Sequence, residues 1–167
     1  LLKTLEEPGH GLLILLSAAP ERLLSTIRSR CQLIRFLRLG DADVQQVLQR
    51  CGEQKDDPLE LLAMAAGSPG ALLEHRRQRE ALPVDLVDRL ETLPQEPMQA
   101  LALARDLCES LDGQQQLWLI DWWQQKLWRC GAGHEPMHRL ELLRRHLLGF
   151  VQPRLAWEVA LLDLSVS

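Results

Sequence analysis

The sequence predicts a mostly helical protein in which a short α/β segment precedes a longer all-helical part. Leucine dominates the apolar residues and β-branched residues are few, a bias that favours helix over strand. Prolines and glycines divide residues 41–165 into segments with helical periodicity. Residues 11–36 instead contain two short apolar runs separated by one helical segment, which is the pattern of a parallel α/β unit.

Composition and charge limit the classes of function. The 167 residues are 46% hydrophobic and 25% charged, as in an ordinary globular protein. A net charge of −4 argues against a stand-alone nucleic-acid binder, which needs clustered Lys and Arg. The four cysteines lack zinc-site spacing, so we predict no metal site and unpaired thiols in a reducing cytoplasm. No apolar run is long enough to cross a membrane, and no nucleophile or acid–base set with plausible spacing predicts catalysis.

The α/β segment is predicted from two apolar runs and one proline. Residues 11–17 form a continuous apolar run, which is typical of a strand buried on both faces. Pro20 favours the start of a helix over 21–29, and residues 32–36 alternate as a second strand would. Two strands do not form a stable sheet alone. We therefore expect further strands upstream, and hence that this chain is the C-terminal part of a longer protein.

A change of character follows Gly40, after which every segment is predicted to be helical. Val44, Val47, Leu48 and Cys51 fall on one face of the first predicted helix. Together with two further helices, it makes residues 40–81 a compact three-helix unit.

Start signals locate the other two helices of this unit. Asp57 is predicted to cap free amides, with Pro58 in the first turn and Glu60 bonding back as in a capping box. Ser68, followed by proline, repeats the device. Residues 74–80 carry charges of both signs and are predicted to be an exposed helix end.

A helical bundle is predicted for residues 82–167. Short connections between successive helices favour antiparallel packing. The predicted helices lie near 84–93, 97–111, 114–130, 137–150 and 153–165.

Residues 1–31 carry the most informative motif. They read LLKTLEEP, then the apolar run, then SAAPERLLSTIRSRC. This order resembles that of the bacterial clamp-loader family of AAA+ ATPases, in which these elements are the helix after the Walker B strand, the sensor 1 strand, and the helix that ends in Ser-Arg-Cys. Residues 66–71 resemble the start of the family's sensor 2 helix. The resemblance implies that 1–39 are the C-terminal part of an AAA+ module, 40–81 a helical lid and 82–167 a helical collar domain.

The resemblance assigns a role to the motif Ser29-Arg30-Cys31. In the family, the arginine of this motif reaches across a subunit interface toward ATP bound by a neighbouring subunit. Arg30 is thus implied to be an arginine finger acting in trans, which stabilises charge on the transferring phosphoryl group. Arg28 is a weaker candidate. The alternative is that both arginines are solvated charges at a helix end, where cations are favoured by the helix dipole.

The same resemblance implies that this chain has lost residues with which active relatives contact the phosphates of ATP. The sensor 1 position holds Ser17, followed by two alanines, and its competence is doubtful. The sensor 2 position holds Gly70, where active relatives carry arginine. The combination is similar to subunits of the family that do not hydrolyse ATP, and unlike its motor subunits. No cofactor is therefore expected in this chain, and the ATP concerned is bound by a neighbouring subunit.

The resemblance implies a function in replication. The chain is expected to assemble with the gamma/tau and delta clamp-loader subunits of DNA polymerase III, in the cytoplasm and with no membrane partner. It would contact the sliding clamp indirectly and primed DNA through the complex. It would have no activity of its own within this DNA-directed DNA polymerase (nucleotidyltransferase) holoenzyme. The alternatives are an ATP-hydrolysing motor subunit of the same family, which Gly70 argues against, and an unrelated helical scaffold.

One predicted helix is unusually rich in tryptophan. Trp118, Trp122, Trp123 and Trp128 lie on it among leucines, so apolar residues occupy nearly every face of its middle. Such a helix is either central in a bundle or docked against a neighbouring subunit, and both remain open at this stage.

The most basic late segment is the helix near 137–150. It carries His138, Arg139, Arg144, Arg145 and His146. A solvated surface is the ordinary explanation. Contact with DNA is the less favoured one, because the interleaved residues are leucines and not stacking aromatics.

Overall fold

The structure, a computed structural model, describes residues 11–149 and 151–165. The chain divides into two compact units, residues 1–37 and residues 38–167. The predicted boundary between residues 81 and 82 lies inside the second unit and stays a prediction. None of the described helices is both long and apolar enough to cross a membrane.

The first unit contains little regular structure among its described residues. A 3-10 turn spans Pro20–Arg22 and helix α1 spans Ser25–Arg28, with extended backbone between them at Leu23. The continuous helix predicted over 21–29 is therefore wrong. Neither element has a side-chain cap or a buried residue. Because tertiary packing supplies most of the stability of a short helix, neither element extends.

The two strands predicted at 11–17 and 32–36 do not form, so the expectation of an α/β unit is not met in the part of the chain that the structure describes. Strands exist by pairing their backbone N–H and C=O groups with neighbouring strands, and no such ladder is present here. Their side chains are correspondingly unburied, with Leu12 87% and Phe36 90% exposed.

The second unit is helical, as predicted. Its helices are α2 Asp41–Arg50, α3 Leu59–Ala65, α4 Pro69–Ala81, α5 Val84–Thr92, α6 Pro97–Ser110, α7 Gly113–Arg129, α8 His134–Leu148 and α9 Pro153–Ser165. Helix α8 begins three residues before the predicted 137. Pro136 sits in its first turn, where a missing N–H removes no intrahelical hydrogen bond.

The helices of this unit pack in series around one core. Helix α6 lies against α9, α9 against α8, α8 against α7, α7 against α3, and α3 against α4. Helix α2 lies against α4, and α5 against α6. Buried apolar side chains from all eight helices form a single cluster. Its largest fully buried members are Trp123, Trp157, Leu72, Leu90, Leu103 and Leu107.

Two helix starts are capped by side chains. The Ser68 hydroxyl accepts from the backbone N–H of Ala71 at 3.3 Å, which confirms the predicted cap of α4. At the start of α7, Asp112 and Gln115 form a reciprocal capping box at 2.8 and 2.9 Å. Both devices satisfy amides that have no intrahelical acceptor.

Asp57 does not cap α3, contrary to prediction. The N-cap of α3 is Pro58, without a side-chain hydrogen bond. Asp57 instead accepts from Nε and Nη2 of Arg76 at 2.6 and 2.5 Å, and Arg76 Nη1 donates to the Glu53 carbonyl at 2.7 Å. The two side chains are only 3% and 7% exposed, so the prediction of residues 74–80 as an exposed end fails at Arg76. A two-point charged pair is stronger than a cap and removes Asp57 from that role.

Candidate functional site

The Ser29-Arg30-Cys31 motif lies just beyond the end of α1. The guanidinium Nη1 of Arg30 donates to the Thr26 carbonyl at 2.9 Å, and the Ser29 hydroxyl donates to the same oxygen at 3.2 Å. The backbone N–H of Ser29 bonds the Ser25 carbonyl at 2.9 Å, which holds the motif against the helix. Ser29 and Arg30 are exposed, whereas Cys31 is half-buried. The structure thus presents the Arg30 cation at the surface of the first unit.

Arg30 has chemistry suited to an anion on another molecule. A guanidinium carries a permanent charge and five N–H donors in a planar fork that matches phosphate oxygens. The Thr26 carbonyl, a neutral acceptor, engages one of these donors, Nη1. Arg28, in the last turn of α1, is also exposed.

The hydroxyl of Ser17 is engaged locally. It accepts from the backbone N–H of Ala19 at 3.2 Å, and the residue is exposed. An accepting hydroxyl keeps its own proton to donate, so this geometry leaves one hydrogen bond available for a ligand.

Gly70 occupies the first turn of α4, two residues after the cap Ser68. A Cβ added at Gly70 would meet no atom within 4 Å outside its own helix turn. Space therefore exists for a side chain, and the absence of a cation at this position is not imposed by packing. Gly70 belongs to the second unit and Arg30 to the first.

The tryptophan-rich helix α7 is mostly a core element. Trp122 and Trp123 are buried and Trp118 is half-buried. The Trp118 indole N–H donates to Nδ1 of His75 on α4 at 2.9 Å. Trp128 is 71% exposed. The hypothesis that this helix docks against a neighbouring subunit therefore applies to Trp128.

The Trp122 ring also carries two cations on its faces. The Arg79 guanidinium lies 5.2 Å from the ring centre and the Lys126 ammonium 5.4 Å from it, within the range of cation–π attraction. Lys126 in turn forms an ion pair with Glu91 of α5. Helices α4, α5 and α7 are thereby tied together by charges around one buried indole.

The cations of α8 are paired with carboxylates. Arg139 bonds Glu135 at 3.1 Å and Arg145 bonds Glu141 at 3.3 Å. Arg144 forms an ion pair with Asp121 of α7. Because each of these three charges has an acidic neighbour, α8 does not present the unopposed basic surface that DNA contact needs.

The described residues offer no cluster that could hold a metal ion, and the surface clefts among them are open to solvent. No three or more of their His, Cys, Asp and Glu side chains come together in a way that could hold a metal ion. One surface cleft, about 550 Å³, is open and polar and is lined mainly by residues of α2 and the loop that follows it, among them Gln45, Gln49 and Gln54. Ligand pockets are typically more apolar than this.

Comparisons with known families assign both parts of the chain. Residues 42–164 match a family model described as cyanobacterial DNA polymerase III delta prime, C-terminal domain. Residues 1–40 match one described as DNA polymerase III, delta subunit. No curated protein and no solved structure matches the chain.

Proposed function

The chain belongs to the DNA polymerase III delta prime family, and we propose that it serves the clamp loader as a subunit that completes the assembly without hydrolysing ATP. The observation that carries this proposal is the family match over residues 42–164, which takes in nearly all of the helical second unit. The match over residues 1–40 extends the relation to the segment that contains the Ser-Arg-Cys motif.

Arg30 is the residue proposed to act on a neighbouring subunit. The residue is exposed just beyond the end of α1, and its Nη1 donates to the carbonyl of Thr26. In phosphoryl transfer, charge spreads over the oxygens of the transferring group, and an arginine supplied in trans stabilises it. The proposed acceptor is ATP held by a gamma/tau subunit.

The lack of hydrolysis is supported by the two sensor positions. Gly70 offers no charge to a phosphate, although the structure has space for a side chain there. The Ser17 hydroxyl offers a single donor and accepts a local hydrogen bond from Ala19. On this proposal the chain binds no nucleotide of its own, and the ATP that matters is bound by its neighbour.

Gamma/tau and delta subunits are the proposed partners, in the cytoplasm. The sliding clamp is reached indirectly and primed DNA through the assembled complex. The net charge of −4 and the paired arginines of α8 support a subunit that does not grip DNA by itself.

The test compares Arg30→Ala with wild type in a clamp loader reconstituted from all its subunits. Clamp- and DNA-stimulated ATP hydrolysis is measured after gel filtration has shown that the complex is intact. Loss of a trans arginine is expected to slow the affected site about 10³-fold or more. Arg28→Ala, two residues away and also exposed, tests the weaker candidate and should retain activity if Arg30 is the finger.

A second variant distinguishes the effect of the positive charge of Arg30 from that of its planar guanidinium. Arg30→Lys keeps the charge and loses the planar fork, so we expect it to restore only part of the activity. Unchanged turnover by Arg30→Ala in an intact complex would remove the finger assignment and leave an architectural subunit. ATP hydrolysis by the isolated protein would instead identify a motor subunit.

A further inference from the structure

His134 and His138 form a pair of imidazoles at the start of α8. Their spacing of four residues places them on one helix face. The ring centres are 6.1 Å apart and the ring planes are inclined by 14°, so the two rings are stacked with nearly parallel planes. Both residues are exposed, which leaves the space in front of them open to water and ions.

The two imidazole rings have no polar partner among the described residues. Neither ring forms a hydrogen bond or an ion pair with another described residue, and both residues are exposed. Pro136 lies between them in the same turn and fixes its own φ near the helical value. This restriction favours the helical turn that holds the two rings together.

We propose that His134 and His138 bind one divalent late transition metal ion, with water completing its coordination. Imidazole is a preferred ligand of Zn²⁺, Ni²⁺ and Cu²⁺, with a metal–nitrogen distance of about 2.0–2.1 Å. Two rings four residues apart on a helix are a recurring way to hold zinc. In the stacked arrangement the two rings do not yet converge on one ion, so the proposal requires both exposed side chains to rotate until one nitrogen of each faces the metal.

The site is a binding site and not a hydrolase centre. The sequence 134–138 is His-Glu-Pro-Met-His, which has the spacing of the zinc-protease motif. In that motif the glutamate acts as general base and a third protein ligand completes the site. Here Glu135 bonds Nε of Arg139 at 3.1 Å, and no third ligand is present among the described residues.

The neighbouring charges predict a weak, exchangeable site. The positive end of the helix dipole at the start of α8 opposes a cation, as does Arg139. The Glu135 carboxylate offsets part of this repulsion. A bound ion would link positions 134 and 138 and so stabilise the first turn, because it binds only where the turn is folded.

The test is a calorimetric titration of the chain, prepared without a histidine tag, with Zn²⁺ and then Ni²⁺. A Cys51→Ser, Cys130→Ser background removes the two exposed thiols, which are metal ligands in their own right. One equivalent of metal should bind. Loss of a direct ligand in His134→Ala or His138→Ala should weaken binding by at least about tenfold. His146→Gln, on the same helix, should bind as the parent does.

Circular dichroism of each variant shows whether α8 and the rest of the chain remain folded, which is expected because both histidines are exposed. His134→Gln provides a second variant of nearly unchanged bulk. Absence of binding by the parent, or equal binding by the parent, His134→Ala and His138→Ala, would overturn the proposal. Neither result bears on Arg30, since the two sites are tested by different variants and different assays.

Discussion

We expect that any side chain at Gly67 destabilises the protein. Replacement by alanine measures the resulting loss in the free energy of unfolding. The residue follows α3 with φ at +80°, in the left-handed region. An added Cβ would lie 2.4 Å from the Leu39 carbonyl oxygen and 2.8 Å from the Leu39 nitrogen. Leu39 approaches this closely because its N–H donates to the Gly67 carbonyl at 3.1 Å. The obstructing atoms are backbone, so no side-chain rotation relieves the clash.

The cost of Gly67→Ala has two parts. The left-handed conformation costs a residue with a Cβ about 1–2 kcal/mol. Displacing the Leu39 backbone is an overpacking strain of about 1–3 kcal/mol. The free energy of unfolding should therefore fall by about 2–5 kcal/mol, a large share of a typical domain's stability.

Two other glycines separate these contributions. Gly52 has φ at +77° but nothing within 4 Å of an added Cβ, so Gly52→Ala should cost only the conformational part, about 1–2 kcal/mol. Gly70 is helical and equally open, so Gly70→Ala should stabilise the protein by about 0.4–1 kcal/mol.

Urea unfolding followed by tryptophan fluorescence measures all three variants. The five tryptophans lie between residues 118 and 157, so the signal reports on the second unit, which also contains the three glycines. A Gly67→Ala cost no larger than that of Gly52→Ala would refute the steric argument. A destabilised Gly70→Ala would refute the open helical environment assigned to that position.

Three further outcomes are expected. Arg76→Leu should lower the free energy of unfolding by about 3–5 kcal/mol in urea titrations, because it leaves a buried carboxylate without its cation; an unchanged midpoint would contradict this. Burial raises the pKa of the Cys108 thiol, so in the native state it should react with a thiol reagent more slowly than the exposed Cys51 and equally fast in urea. The hydrogen bond from Arg89 lowers the pKa of Asp106, so its contribution to stability is present above the ordinary carboxyl pKa and lost as pH falls through the folded value. Asp106→Asn should flatten this acid dependence, and an unaltered pH profile would argue against the ion pair.

Apolar side chains are buried in the second unit but largely exposed in the described residues of the first. In the second unit, leucines at helical spacing meet other helices and are buried. In the first unit, Leu12 and Phe36 belong to runs whose pattern is typical of strands, but no strand forms among the described residues and both side chains stay exposed. A strand forms only where other strands pair with it, so the local patterns that predicted strands at 11–17 and 32–36 did not ensure that strands form there.

Helix boundaries in the second unit were predictable because their causes are local. Pro153 starts α9 at the residue expected, and Ser68 caps α4 as expected, since both effects act within one turn. The Ser29-Arg30-Cys31 motif is also a local pattern, which is why residues 1–31 indicated a clamp-loader relative before any fold was known. The four-residue spacing of His134 and His138 is also a local pattern, but a helix predicted to begin near 137 leaves His134 outside it, and only the observed start at His134 places both residues on α8.

The sequence by itself therefore determined the helical class of the second unit, most of its helix bounds and the family, because these depend on residues within a few positions of one another. Tertiary structure alone decided which polar and aromatic side chains are buried. Asp57 does not cap α3 as predicted but pairs with Arg76, 19 positions away. The Trp157 indole N–H donates to Gln116, 41 positions away. Trp122 and Trp128 share a helix and a residue type, yet Trp122 is buried and Trp128 is 71% exposed. Such choices follow from long-range packing and the need to pair buried polar groups, which no local pattern encodes.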